Sequence, residues 1–552
     1  MRLQSDRRTS SIWAALANPI FRKLWIAAVV SGTCVAAHDT AATWMMNMLT
    51  PSPFLISLLS TVASLPFFLF TLPAGALADM VDRKKLLCAV NLWLAASAAG
   101  LAILGWLHRL NPYVILVFVF LTGVGFALNA PAWTSSVSDV VSNAELPSAA
   151  TLGSLQLNIS GILGPALGGL LVAWVGPNPV FALNAACFLV VILAVLQWKR
   201  GAGQSRTGLE SFFVSFVTAI RYVRYAPGLQ IVLARNVLFA LFISVIPALM
   251  PVVGLKALHL NPSQLGLLFT SMGAGSVVGA AVIIPRLRAR YSPNTLIIFA
   301  NLLVVLVYVL MAVVRQKELF LVVAALAGIG WTLSASELWV AAQRAMPSWA
   351  RGRMNATVIM VSQGALAIGG VIWGSAVAIT DITYTLLGAA ILFLISLALA
   401  CPLSINFTGA LNFDPAPVTT FSHKLIYTPQ PRDGPVLISV EFQVDCAKGK
   451  EFIQIMREVR LIHLRNGAYS WRLHEDLTCP NTFRLEVIVP SWNEHLLQKD
   501  RVTKTEKEVL ERAWSLHSGQ RPPEERIYLL VNRELLTPRQ CDCQPAASRM
   551  AA

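Results

Sequence analysis

Charge is what this sequence has least of. Of its 552 residues only 13% are Asp, Glu, Lys or Arg, about half the ~25% share of an ordinary soluble domain. Acid is scarcer still, with ten Asp and Glu in residues 1–408. That deficit excludes one globular core wrapped in solvated charge. The eight cysteines lack the spacing of a disulfide framework. Cys34, Cys88, Cys187 and Cys401 fall in or at the ends of apolar runs, and Cys446, Cys479, Cys541 and Cys543 in the polar C-terminal part. Cys541-Asp542-Cys543 has no further ligands close by in sequence, so neither a metal nor an organic cofactor is expected. A cleavable leader pattern is also missing. The first apolar run is long enough to span a bilayer and another follows it, so it is expected to stay.

What is abundant is apolar sequence, 56% of the chain. Runs long enough to cross a bilayer begin near Leu24, Phe54, Leu86, Tyr113, Leu152, Phe181, Ile231, Gln264, Thr295, Leu319, Asn355 and Tyr384. Each supplies the roughly 20 residues that a hydrocarbon core requires. Backbone polar groups in lipid must pair within their own segment, which makes these runs helices. The expected fold class is therefore an all-α polytopic membrane protein of about 12 helices in two six-helix halves. A small C-terminal α+β domain of ferredoxin-like arrangement follows them.

The net charge of +15 resides in the apolar part, because residues 409–552 carry 19 basic and 18 acidic side chains. A nucleic-acid partner is not expected: the basic residues sit in short loops, where they act as topology signals. With the N-terminus inside, the inner loops hold 19 Lys and Arg, among them Arg83, Lys84, Lys85, Arg286, Arg288 and Arg290. The outer loops hold four: Arg109, Lys256, Arg315 and Lys317. Both termini are thus placed in the cytoplasm, with the protein in the cytoplasmic membrane of a bacterium.

The chain divides as follows. Residues 1–23 form an N-terminal segment, 24–197 the first six-helix bundle and 198–229 a central loop. The second bundle takes 230–403. In the central loop Leu209, Phe212, Phe213, Phe216, Val217, Ile220 and Val223 have helical spacing, which predicts a helix lying in the inner interface. Equal halves suggest duplication. Gly75-Ala-Leu-Ala-Asp79 before Arg83-Lys84-Lys85 has a faint counterpart in Gly279-Ala-Ala before Arg286, Arg288 and Arg290. Residues 404–435 read as a linker, 436–534 as the α+β domain and 535–552 as a disordered tail. Within the domain, strands are expected over Val436–Val444, Ala468–Leu477, Thr482–Pro490 and Ile527–Asn532, with helices over Lys448–Leu464 and Trp492–Ser518.

Gly75-Ala-Leu-Ala-Asp79-Met-Val-Asp82-Arg83-Lys84-Lys85 resembles the loop signature of the major facilitator superfamily between its second and third spans. The resemblance implies that Gly75 allows close helix approach, that Asp79 pairs with a basic residue or helix N-terminus of another span, and that Arg83, Lys84 and Lys85 hold the loop inside. Asp82 stands where that family usually has Gly. Gly161-Ile-Leu-Gly164-Pro165-Ala-Leu-Gly168-Gly169 resembles the fifth-helix motif of antiporters in the same superfamily. Small residues there make a flat face, and Pro165 frees a backbone carbonyl. Leu65-Pro66, Pro131-Ala-Trp133, Glu145-Leu-Pro147 and Gln343…Pro347-Ser-Trp349-Ala-Arg351-Gly-Arg353 are similar to the enterobactin-exporter-like branch over residues 15–405. An arginine expected after Asn158 in that branch is replaced by Ser160-Gly161. In the C-terminal domain, Arg465-Asn-Gly-Ala468-Tyr-Ser-Trp471 and Ser491-Trp492-Asn-Glu494-His495…Arg501-Val-Thr503 resemble dimeric α/β-barrel domains of the antibiotic-biosynthesis-monooxygenase type. That resemblance implies a homodimer through the domain; Glu494 and His495 are expected on an exposed helix face.

Ionisable groups inside lipid are costly and mark function. His38 and Asp39 in the first span and Glu337 in the tenth are the proton or substrate candidates. Arg235 in the seventh span reads as a snorkelling side chain. Gln156, Asn158, Asn184 and Gln363 are candidates for lining a polar path. Together with the resemblances, this points to a proton-coupled secondary exporter of small drug-like or siderophore-like compounds, with lipid, protons and substrate as its partners. The alternatives are an importer of the same fold and a membrane-anchored enzyme or sensor working through the C-terminal domain. A cytoplasm-only reporter fused after Lys85, Arg206, Arg290 or Ala552 should be active, and after Pro51, Leu110 or Leu260 silent. Activity at any of the latter three would overturn the orientation.

Overall fold

The structure is a computed structural model describing residues 12–198, 220–403, 414, 416 and 429–529; the side chains at 76, 79, 138, 227, 348 and 353 lie outside it. The chain splits into two compact units. The first holds 12 helices long and apolar enough to span a membrane: α1 (Pro19–Leu49), α2 (Pro53–Met80), α3 (Arg83–Trp106), α4 (Pro112–Val140), α5 (Leu146–Val175) and α6 (Pro177–Leu196), then α7 (Gly228–Ala257), α8 (Pro262–Arg288), α9 (Pro293–Val313), α10 (Lys317–Arg344), α11 (Arg351–Ile379) and α12 (Ile382–Ala400). Several helices begin a turn before the apolar run does, for a local reason. An Asn or Ser cap precedes Pro at the first helical position, where the missing N–H would be unpaired anyway. Asn18 Oδ1 accepts from the amides of Ile20 and Phe21, Asn111 caps α4, and Asn261 forms a capping box with Gln264 on α8.

Successive spans alternate direction, so one end of the bundle gathers the loops rich in Lys and Arg; this is the basic end. At the opposite end the two halves share a core. One apolar cluster there includes Ala41, Met45, Met46, Leu59 and Phe181 of the first half and Val252 of α7. Lys256 Nζ donates to Thr50 O across the same end at 3.3 Å.

Two helix pairs form the seam between halves. On α5, a Cβ at Gly169 would lie 2.6 Å from Pro262 O and 2.8 Å from Gly266 Cα of α8. A Cβ at Gly273 would lie 2.6 Å from Gly161 O, the carbonyl that Pro165 releases by lacking an N–H. Thr270 Oγ1 donates to Ile162 O at 3.1 Å between them. The same helix also seats on α1, since added carbons at Gly164 and Gly168 would meet Thr33 O at 2.7 Å and Ala37 Cα at 2.6 Å. α5 is thus seated on α1 through Gly164 and Gly168 and on α8 through Gly169, with Gly266 and Gly273 of α8 facing it; Gly161 itself has open space. The second pair is α2 with α11. Gly374 and Gly370 receive Ser57 and Thr61, Gly364 receives the Phe68 ring, and Thr61 Oγ1 donates to Ala367 O at 3.3 Å. Gly75 behaves differently from its sequence reading. A Cβ there would meet nothing within 4 Å, so close approach is not what requires this glycine.

The second unit comprises Val217–Pro227, Pro347–Trp349 and Gly409–Ala552. Its sheet is antiparallel in the order β2-β3-β1-β4, built from β1 (Val436–Gln443), β2 (Ser470–Glu475), β3 (Thr482–Val489) and β4 (Glu525–Leu529). α13 (Gly449–Asn466) connects β1 to β2. The single helix expected over Trp492–Ser518 is two, α14 (Trp492–Arg501) and α15 (Lys504–Ser515). Thr503 breaks it by forming a capping box with Glu506, a local signal visible in Thr-x-x-Glu. The alternating apolar residues Val436, Ile438, Val440, Phe442, Leu485 and Val487 point into the core under the helices. A homodimer through the domain would therefore not pair these residues. The other face carries Glu441–Arg484 and His474–Glu486 pairs. Most of the expected interfacial helix lies outside the described residues. Its last turn is described, and there Tyr222 is buried and Tyr225 packs against the domain core. The tail and most of the linker also lie outside the described residues.

The α5–α8 seam makes a direct prediction. Gly266→Val should hold the two helices apart while leaving every span its own backbone bonds. Transport should fall at least tenfold, and a cysteine at Thr270 should become reactive to an impermeant maleimide. Gly153→Ala, where a Cβ meets nothing within 4 Å, should transport within twofold of the parent.

Candidate functional site

The membrane candidates separate cleanly. α1 turns Thr33 and Ala37 toward α5, and on α6 the Cys187 Sγ lies 2.7 Å from Cys34 Sγ and the Phe181 ring 4.8 Å from that of His38. His38 is buried, and its Nδ1 has no hydrogen-bond partner among the described residues. Neighbours on a helix are about 100° apart, so Asp39 is rotated off the α6 contact and lies on the side away from Ala37. Its side chain is exposed in the unit. His38 therefore packs against α6, whereas Asp39 points away from that contact.

Glu337 is not free. Arg288, at the basic end of α8, donates Nε to Glu337 Oε1 at 2.6 Å, and the carboxylate is 3% exposed. The first half has a matching pair. Arg83 Nη1 contacts both carboxylate oxygens of Asp139 at 2.9 Å and the Ser135 carbonyl at 3.3 Å. In each half a basic residue at or just beyond the end of the second helix grips an acid on the fourth, which gives the faint sequence repeat a structural content. Asp139 was missed in the sequence because its partner is 56 positions away. Asp82 caps α3 at the Lys85 amide, the job for which the family's glycine is unsuited. Lys84 Nζ donates to the carbonyls of Leu196 and Trp198, tying α3 to the end of α6, while Lys85 is exposed. The side chain of Asp79 lies outside the described residues.

Among the polar-path candidates, Gln156 donates to Ala28 O and to Ser160 Oγ, joining α5 to α1. Ser160, standing where the family branch suggested arginine, completes that contact through Val29 O. Asn184 is 1% exposed with both amide atoms unpartnered among the described residues. Asn158 and Gln363 are half-buried. Arg235 does not snorkel; it is buried and donates to Asn294 Oδ1 at 2.6 Å.

The second unit contains a buried ionic cluster that sequence reading did not anticipate. Glu494 Oε1 accepts from Arg501 at 2.6 Å and from Arg221 at 3.4 Å. Arg221 also donates to Gly467 O at 3.1 Å, and Arg501 to Asn466 O at 3.0 Å. Arg501 lies 4.8 Å over the Trp349 ring, whose edge meets Tyr222. Arg465 pairs with Glu506 and lies over Tyr222. Burial pulls the Arg221 guanidinium below its ordinary range, against the opposing pull of Glu494. Residues from the central loop and from the loop before α11 are thereby built into the same unit as the C-terminal domain. His495 is buried and Glu494 half-buried, so neither stands on an exposed helix face as expected.

Comparison with known proteins agrees with the twelve-span architecture. Residues 10–535 match the family described as "Transmembrane secretion effector". The chain belongs to this family of major facilitator transporters. It is 22% identical to macrolide efflux protein A of Streptococcus pyogenes over 51% of this chain and 70% of that one. It is 24% identical to the enterobactin exporter EntS of Salmonella typhimurium over 48% of this chain and 63% of the relative. A mutant of the nucleoside transporter NupG superimposes with a TM-score of 0.57 at 11% identity, covering 69% of this chain and all of that one. A bacterial homolog of the lysosomal transporter Spinster superimposes at 0.55 and 13%, covering 70% of this chain and 97% of that one. These solved structures share the fold of the transporter.

Burial lowers the His463 and His495 pKa values from 6.5 to about 4. Above pH 6.5 both are neutral in either state. Below it the unfolded chain takes up protons that the folded unit refuses, so stability falls as pH drops from about 6.5 toward 4. His495, being fully buried, contributes at most ~1.4 kcal/mol per pH unit in that window. The unfolding midpoint of the second unit in detergent-purified full-length protein should drop accordingly, with a shallower slope in His495→Phe.

Proposed function

We propose that this transporter is a proton-coupled exporter of small organic compounds, drug-like or siderophore-like, working by alternating access from the cytoplasmic membrane of a bacterium. The supporting observation is the α5 motif, whose Gly164 and Gly168 seat on α1 and whose Gly169 seats on α8 across the two halves. The two efflux relatives favour export over import. The loop charges favour a basic end and both termini in the cytoplasm; in that orientation the glycine seam closes the outer side and must part to release substrate. Rocking of the halves about a central site does this without unfolding any span.

In this mechanism Asp39 carries the proton. It is the exposed carboxylate of α1, whereas Glu337 is held by Arg288 and serves the gate together with Arg83, Asp139, Asp79 and Asp82. The half-buried Asn158 and Gln363 contribute polar surface near the path, whereas Gln156 joins α5 to α1 and Asn184 is buried. The C-terminal domain, of ferredoxin-like connectivity, is a regulatory appendage of residues 436–534. If two copies pair through it, they use the outer sheet face, where Ile488, Leu437 and Tyr528 lie in one row across β3, β1 and β4.

The test is Asp39→Asn in inside-out vesicles. Proton-driven accumulation should fall at least tenfold while substrate binding stays within about threefold, and substrate addition should no longer move protons. Retained proton-coupled export would transfer the role to another group.

A further inference from the structure

Between the helix-covered face of the sheet and α13–α15 the second unit holds a cavity of about 130 Å³ that is partly open to the surface. Its walls include Val440, Phe442, Leu485, Val487 and Trp514, which are apolar. His495 also lines it, 2% exposed and with neither ring nitrogen hydrogen-bonded among the described residues. A polar group buried without a partner is costly, and a native fold that keeps one calls for an explanation. A cavity of about 150 Å³ lined only by apolar side chains is known to stay dry and to accept benzene. Here the walls add two aromatic rings, the imidazoles of His463 and His495, of which His495 lacks a partner among the described residues, and the polar side chains of Asn466, Gln498, Lys499 and Glu525.

We propose that this cavity is an effector site for a one-ring aromatic carrying a hydroxyl group, a simple phenol in chemical class. The ring fits the space and meets Phe442 and Trp514 at the edge-to-face or offset geometry aromatic pairs favour. The hydroxyl donates to the neutral His495 imidazole, whose burial disfavours its charged form. No atom of the ligand is transferred; the site binds and releases it unchanged.

The geometry also says how occupancy would be read. His495 stands next to Glu494 on α14, and Glu494 with Arg501 of the same helix holds Arg221 and Trp349. Arg221 lies seven positions before the start of α7, and Trp349 two before α11. A ligand that orders α14 therefore acts on the segments leading into two spans. This regulatory arm rests on the transporter reading, while the binding arm does not.

Purified full-length protein should bind phenol saturably at one site per chain, read by titration calorimetry and by the change in tryptophan emission. Anisole, which cannot donate, should bind at least tenfold more weakly. His495→Phe should weaken phenol at least tenfold, and Val487→Ala, which only enlarges the space, should keep it. In proteoliposomes phenol should change efflux of a reporter dye at least threefold in the parent. In Glu494→Gln it should still bind but leave efflux unchanged. Absence of saturable binding in folded parent protein, equal binding in His495→Phe, or conversion of phenol to product would each overturn the proposal. Binding as expected in a protein that moves no dye would instead count against the transporter reading alone.

Discussion

Every backbone donor and acceptor within lipid has to be satisfied inside its own helix, and the rest of this structure depends on that constraint. It fixes twelve helices and leaves their association to close packing of small residues, because apolar side chains gain little from leaving hydrocarbon. The α5 helix is where the consequence concentrates. Glycines at 164 and 168 admit α1, glycine at 169 admits α8, and the carbonyl released by Pro165 faces Gly273. A larger residue at these positions meets backbone, which cannot rotate away. A seam made of backbone contacts carries few side-chain bonds to break, which suits a surface that has to open and close.

Charge is handled in the opposite way. Few ionisable groups lie in the spans, and those whose side chains are described are paired, packed or exposed for distinct reasons. Arg83 with Asp139 and Arg288 with Glu337 secure corresponding corners of the two halves. Arg235 reaches Asn294, and His38 packs at a tilt against Phe181. Asp39 is left as the exposed acid of α1. Adjacent residues on one helix thus take different work, because a 100° step separates a packed face from an open one.

The C-terminal unit shows how a soluble domain can take hold of a membrane protein's connections. Its buried Arg221–Glu494–Arg501 cluster costs desolvation that the ion pairs only partly offset, and removing one partner would leave buried charge uncompensated, at about 3–5 kcal/mol. Such a cluster specifies geometry more than it adds stability. Gly467 serves it directly: its φ of +137° suits glycine, and a Cβ there would strike the Glu494 carboxylate.

The sequence alone determined the twelve spans, the two halves and the order of strands and helices in the C-terminal domain. Those features follow from run length and periodicity, which are local. It also located the α5 motif, because a proline among four glycines in an apolar run has few other uses. Sequence did not determine which charged residues meet. Asp139, Arg288 with Glu337, and Arg221 with Glu494 join positions 49 to 273 apart, and no local pattern encodes such pairing. The break at Thr503 was written in a capping box, yet a charged amphipathic stripe on both sides hid it. Burial of His495 and the cavity beside it belong to the tertiary structure alone. An amphipathic helix shows which stripe is apolar, but only the packed sheet and helices decide how deep a polar residue at its margin will lie.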